Sequence, residues 1–280
     1  MTIAMVWVKF SLCAALIGFA GPVLTRYGDI IARRTGVSRT WIGLLLLATA
    51  TSLPELITGV SAVTVAAAPN IAVGDALGSC VFNLTMLVVL DAMHRDGPMY
   101  SRMDQGHILT AGFGVILIGL AGASLLLGRE GLNISFLHVG VYTPIIFVLY
   151  LVAMRSAFVY EGRKPASQAM VDNDPKVTLR MAVTRYLAAA TVVVGAGAWL
   201  PFIGVEIAEV MGWRTTFVGT LLIAGATSLP ELVVTISALR LGALDMAIAN
   251  LLGSNLFDVL ILAIDDLFYV QGPLLSATPP

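Results

Sequence analysis

Residues 40–59 read TWIGLLLLATATSLPELITG, and residues 216–235 read TFVGTLLIAGATSLPELVVT. A second pair follows in the same order: VGDALGSCVFNLTMLVVLDAM at 73–93 and IANLLGSNLFDVLILAIDDLF at 248–268. The offset is 176 residues for the first pair and 175 for the second, and RDGPM (95–99) has its own counterpart in VQGPL (270–274). Two motifs kept in order at one spacing identify an internal duplication, which decides how the rest of the chain is read.

Around the duplicated motifs the composition is that of a membrane protein. Hydrophobic residues make up 58% of the 280 and charged residues 12%, with a mean hydropathy of +0.91. A soluble domain carries about 25% charged residues. Eight apolar segments fall near 4–24, 40–66, 71–92, 106–127, 135–155, 181–202, 215–239 and 244–264, several of them reaching the ~20 residues that cross a bilayer core as a helix. The first could be taken for a secretion signal, but only Lys9 lies on its positive flank and four arginines follow it, so it reads as a retained helix. The net charge of −1 argues against nucleic acid as a partner. Cys13 and Cys80 lie inside apolar runs and read as small core residues, while His94, His107 and His138 are scattered without metal-ligand spacing.

The distribution of positive charge gives an orientation. With the N-terminus outside the cell membrane (the inner membrane of a bacterium), thirteen of the sixteen Lys and Arg fall on the cytoplasmic side, leaving only Lys9, Arg129 and Arg214 outside. The first TSLPE then lies on a helix running outward and the second on one running inward. The expected architecture is therefore an all-α integral membrane protein with an inverted-repeat transporter fold. Residues 1–157 form the first repeat (motif 40–98) and 180–280 the second (motif 216–273), joined by a polar cytoplasmic linker at 158–179. Transporters of this kind place their site near the midplane, where the repeats meet.

The motifs supply the chemistry for such a site. Pro54 and Pro230 cannot donate to the carbonyls of Ala50 and Ala226, and an orphan carbonyl in hydrocarbon costs several kcal/mol unless something satisfies it. Thr51 with Glu55, and Thr227 with Glu231, are four apart and share a helix face. A Ser/Thr-Pro pair alone is equally a packing kink. Two glutamates at equivalent places are not, because a carboxylate at mid-membrane costs ~2.5–3.5 kcal/mol and no Lys or Arg lies inside these segments to pair with it. The second motif adds Ser79 with Asn83 and Ser254 with Asp258, again four apart. Its glycines, Gly74, Gly78 and Gly253, read as close helix packing. Together these residues make an anionic, all-oxygen site suited to a hard cation such as Ca²⁺.

Two copies of ATSLPE with GSxxF[ND] resemble the alpha-repeats of the calcium/cation antiporter superfamily, most closely the prokaryotic sodium/calcium exchangers. The resemblance covers 40–98 and 216–273. It implies a central Ca²⁺ site flanked by Na⁺ positions, with Ca²⁺ and Na⁺ as transported ions and no cofactor. Glu55 and Glu231 would be the main Ca²⁺ ligands with Thr51, Thr227 and the carbonyls of Ala48 and Ala224. Ser52, Ser79, Ser228, Ser254 and Asp258 would complete the Na⁺ positions, and Asn83 would face Asp258. Sliding of the first and sixth helices would gate access. The departures are Cys80 in place of the second repeat's Asn255 and Asp75 in place of Asn250; Asp75 reads as a cap at the membrane boundary rather than an added charge near the site. The family pattern also has ten helices, whereas about eight are readable here. An incomplete sequence accounts for this, as does a short chain that replaces the missing pair through homo-oligomerisation.

The expected function is thus secondary antiport of Na⁺ for Ca²⁺, with no enzymatic activity and with inorganic cations and the lipid bilayer as partners. A proton-coupled exchanger is the nearest alternative, since buried carboxylates also carry protons. A passive channel or cation-binding membrane protein is a second, and an intramembrane protease a weak third.

Overall fold

The computed structural model describes residues 2–35, 51–93, 105–132, 134–161, 177–240 and 244–278. Apolar runs without water must satisfy their own backbone, and they do so as helices. These are α1 (Ile3–Thr35), α2 (Leu53–Thr64), α3 (Pro69–Met93), α4 (Gln105–Arg129), α5 (Tyr142–Glu161), α6 (Leu179–Met211), α7 (Thr215–Thr227), α8 (Leu229–Arg240) and α9 (Leu244–Phe268). Residues Val218–Ile223 of α7 are wound as a π-helix. Among the described residues six helices are long and apolar enough to cross a membrane, and seven if the bent pair α7–α8 is one span. The remaining expected segment, 40–66, is described only from Thr51 onward, as the twelve residues of α2.

Boundaries differ from the sequence reading in an informative way. The expected 4–24 and 181–202 are helices of 33 residues each, α1 and α6. At 1.5 Å per residue each is ~50 Å long, well beyond a ~30 Å hydrocarbon core. Their polar turns continue the helix, because long charged side chains reach the interface while their stems stay on apolar surface. The expected segment 135–155 begins instead with a two-stranded antiparallel turn, β1 (Ser135–Phe136) and β2 (Val139–Gly140), before α5. Asp266 holds this hairpin in place. Its carboxylate accepts from Gly140 N at 2.9 Å, Tyr142 OH at 2.5 Å, Thr143 Oγ1 at 2.5 Å and Leu274 N at 2.7 Å.

Helices α1 and α6 form the most extensive helix pair and run antiparallel. Lys9 Nζ meets Glu206 at 2.9 and 3.0 Å at one end. At the other, Arg185 donates to Tyr27 OH and its guanidinium lies 5.4 Å from the Tyr27 ring centroid. Each long helix also packs on the motif of the opposite repeat. A Cβ added to Gly21 of α1 would lie 2.3 Å from Cγ of Pro230, and one on Gly197 of α6 would lie 3.3 Å from Ile57 and from the carbonyl of Pro54. Helices α2, α3, α8 and α9 pack together behind them, with α9 buried over almost its whole length.

Candidate ion-binding site

Both copies of TSLPE break their helix at the serine. Ser52 has φ −87° and ψ 14°, and Ser228 has φ −80° and ψ 8°. These near-identical values fall in the sparsely populated bridge region, which a residue just before a Leu-Pro step adopts when the helical ladder is interrupted. In the second repeat the axis turns by 45° between α7 and α8. Each glutamate then stands in the first turn of the new helix, Glu55 in α2 and Glu231 in α8, where the free N–H groups and the helix dipole favour a negative charge.

The breaks face one another and exchange side chains across the repeats. Ser52 Oγ donates to Glu231 Oε1 at 3.0 Å, and Ser228 Oγ donates to Glu55 Oε1 at 3.1 Å. Ser79 Oγ lies 3.0 Å from Ser228 Oγ, and Ser254 Oγ lies 3.5 Å from both Thr51 Oγ1 and Glu231 Oε1. On the level below, the repeat equivalents Asn83 and Asp258 meet each other, Nδ2 to Oδ2 at 3.3 Å. All of these residues are buried, none more than 1% exposed. One acceptor on each key group lacks a protein donor: Glu55 Oε2, Glu231 Oε2, Asp258 Oδ1 and Asn83 Oδ1. Among the described residues no three acidic, histidine or cysteine side chains come close enough to hold an ion by themselves. Hydroxyl, amide and carbonyl oxygens would therefore have to make up the rest of any coordination shell.

Of the twelve residues expected from the sequence, seven are linked here through their side chains and Asn83 with Asp258 as a further pair, while Thr227 Oγ1 bonds Asp75 and the carbonyls of Ile223 and Ala224. The carbonyl of Ala224 accepts from Ser228 N at 3.0 Å and Thr227 Oγ1 at 3.2 Å. Ala48 lies outside the described residues, as does Ala50. Cys80 Sγ donates to the carbonyl of its counterpart Asn255 at 3.8 Å.

One expectation is corrected. Asp75 is not a cap at the membrane boundary: it sits six residues inside α3, 1% exposed, and accepts from Thr227 Oγ1 at 2.9 Å. Packing of α3 against α7 covers it with protein and sets its carboxylate beside the second TSLPE break. Two further buried polar features were not foreseen. Asn250 Nδ2 donates to Thr235 Oγ1 at 3.2 Å, and Asp265 is fully buried in α9. The acidic pair Asp265-Asp266 is the signal for the latter, lying just past the apolar segment expected at 244–264.

Comparison with known proteins follows the same lines. The profile of the sodium/calcium exchanger protein family matches residues 5–158 and 181–269. The sodium/calcium exchanger MaX1 of Methanosarcina acetivorans is 29% identical over 279 residues, covering 85% of this chain and 76% of its own. An uncharacterized membrane protein of Methanocaldococcus jannaschii is 29% identical over 247 residues, with the same shares of 85% and 76%. The solved structure of the sodium-calcium exchanger NCX_Mj soaked with 10 mM Na⁺ and zero Ca²⁺ aligns with a TM-score of 0.57 at 25% identity, covering 95% of this chain and 84% of that one.

Proposed function

The chain belongs to the sodium/calcium exchanger protein family, and from that premise we infer that its facing TSLPE breaks carry Na⁺/Ca²⁺ antiport through one shared carboxylate site. The observation that supports this most directly is the set of buried, donor-free oxygens on Glu55, Glu231, Asp258 and Asn83. Buried acceptors are ordinarily satisfied, and unpaired buried charge is costly. Cations are the partners that fit an all-oxygen, acidic set.

In this reading Glu55 and Glu231 hold Ca²⁺ between them, with Thr51, Thr227 and the carbonyls of Ala48 and Ala224 completing its shell. Ca²⁺ takes 6–8 oxygens at 2.3–2.6 Å, more than the two glutamates supply. Ser52, Ser79, Ser228, Ser254 and Asp258 take Na⁺, with Asn83 opposite Asp258. Because Ser52 donates to Glu231 and Ser228 to Glu55, Na⁺ on the serines and Ca²⁺ on the glutamates compete for the same carboxylate oxygens. That competition couples the two fluxes: the site discharges one ion on loading the other. The ions are substrates, and the chain needs no resident cofactor.

Alternating access follows from the packing of α1 on Pro230 and of α6 on Pro54 and Ile57. Movement of this antiparallel pair relative to α2 and α8 changes what lines the approach to each glutamate. Charge asymmetry puts the N-terminus outside and residues 158–179 in the cytoplasm of a cell membrane. Unequal charge exchange would then be driven by the potential, at ~2.3 kcal/mol per charge per 100 mV. The repeats divide at 1–157 and 180–280.

The test is ⁴⁵Ca²⁺ uptake into proteoliposomes loaded with Na⁺ and diluted into Na⁺-free buffer. Uptake should require internal Na⁺ and be lost in Glu231→Gln. Uptake driven by a pH gradient without Na⁺ would replace the coupling ion, and flux without countertransport would replace antiport by a channel.

A further inference from the structure

One buried charge takes no part in the site above. Asp265 of α9 is 0% exposed, and neither Oδ1 nor Oδ2 has a hydrogen-bond partner. Its neighbour Asp266 is the opposite case, with four donors. Asp265 follows Asp258 by seven residues, two helical turns, so it lies on the same face of α9 and ~10.5 Å farther toward the end that carries β1–β2.

Its place is prepared by α2. A Cβ on Gly59 would fall 2.2 Å from Asp265 Oδ2, 2.8 Å from Oδ1 and 2.9 Å from Cγ. Only glycine leaves room for this carboxylate, and Gly59 stands one turn beyond Glu55 in the same direction. The equivalent residue of the second repeat is Thr235, and the equivalent of Asp265 is Leu90. Asp75, from the facing helix α3, is likewise acidic where the repeat has Asn250. It stands near the start of α3, four residues before Ser79 and just past the end of α2 that Gly59 leads toward, and it keeps Oδ2 without a donor. Through Oδ1 it touches Thr227 of the central site. Both extra carboxylates therefore sit at one end of an otherwise inverted pair of repeats, and no Lys or Arg lies in α2, α3 or the body of α9 to neutralise them.

We propose that Asp265 and Asp75 form an accessory cation position, held open by Gly59, on the path between the central glutamates and the hairpin end. A cation arriving from that end meets buried carboxylate oxygens before it reaches Glu55 and Thr227. The equivalent positions toward the opposite end, Asn250, Thr235 and Leu90, carry no charge and supply no such step. The transporter is thus asymmetric in its cation affinity although its motifs are symmetric.

This rests on the antiport reading, and the experiment separates the two. Ca²⁺ dependence of Na⁺-driven ⁴⁵Ca²⁺ transport is measured in vesicles of determined orientation, titrating Ca²⁺ at the hairpin face and then at the other. Asp265→Asn, nearly isosteric, should raise the half-saturating Ca²⁺ at the hairpin face at least threefold and leave the other face unchanged. Gly59→Ala, which displaces the same carboxylate, should do likewise without adding to D265N, and Asp75→Asn should shift it in the same direction. If D265N does not fold, G59A and D75N carry the test. Unchanged constants, equal shifts at both faces, or a displaced pH profile with unchanged Ca²⁺ dependence would each overturn the accessory position. Wild-type protein without Na⁺-driven uptake would instead overturn the antiport reading.

Discussion

Gly21→Ala should impair exchange far more than its chemistry suggests. The added Cβ would fall 2.3 Å from Pro230 Cγ and 2.7 Å from Pro230 Cβ, where two carbons normally rest ~3.5–4.0 Å apart. Helix α1 must therefore withdraw from α8 by more than ~1 Å, or the proline must move and take the first turn of α8, with Glu231, along with it. Overpacking of this kind costs about 1–3 kcal/mol. If the cost falls on one access state more than the other, the equilibrium between them shifts by ~5–150-fold. Na⁺-driven ⁴⁵Ca²⁺ uptake should drop by at least fivefold, and the melting temperature in detergent should fall. Two internal controls exist. A Cβ on Gly18 would stand 3.2 Å from the terminal methyl of Leu229, which can rotate away, and one on Gly119 meets nothing within 4 Å. Both alanine variants should retain near wild-type exchange. Wild-type transport and stability in G21A would show that α1 does not bear on Pro230, and the gating scheme built on that contact would fall.

Other outcomes follow from the same contacts. Asp258→Asn keeps the shape beside Asn83 but removes a charge, so half-saturating Na⁺ should rise about tenfold or more, read by ²²Na⁺ efflux against Ca²⁺. Asp266→Ala leaves four buried donors without their acceptor; loss of a buried network of this size costs several kcal/mol, visible as a large drop in melting temperature. Lys9→Met removes a partly exposed ion pair of the kind worth ~0.2–1 kcal/mol; stability should change little, and the rate of uncoupled Na⁺ leak is the more sensitive readout.

The motifs were legible because a carboxylate in an apolar segment is costly enough to demand a reason, and a repeated one doubly so. Glu55, Glu231 and Asp258 stand out on that ground, and Ser79 and Ser254 by their four-residue spacing from Asn83 and Asp258, whereas Ser52 and Ser228 come only from the family resemblance. Asp75 was misread because hydropathy gives no depth: six residues from a helix start can be interfacial or buried, and only the packing of α3 on α7 decides. Asp265 lies one residue beyond the expected apolar segment and inside the observed helix. Sequence pattern ends a helix where charge begins, whereas a buried acidic pair lets α9 run on to Phe268. The 33-residue lengths of α1 and α6 were hidden for the related reason that polar residues at an interface extend a helix without extending its apolar stretch. The reciprocal bonds Ser52–Glu231 and Ser228–Glu55 are contacts between repeats, and no local periodicity encodes them.

The antiparallel pair α1–α6 is tied at both ends, by Lys9 with Glu206 and by Arg185 with Tyr27, and it rests on both motifs. A strut fixed at two points moves as one body, like the beam of a balance. In the proposed gating scheme, settling the pair over one motif would lift it from the other and keep the two entrances from standing open together. Leak would then mean the beam coming apart, and its frequency would follow how firmly the two helices hold together, along their shared length as well as at their ends, rather than the ion site.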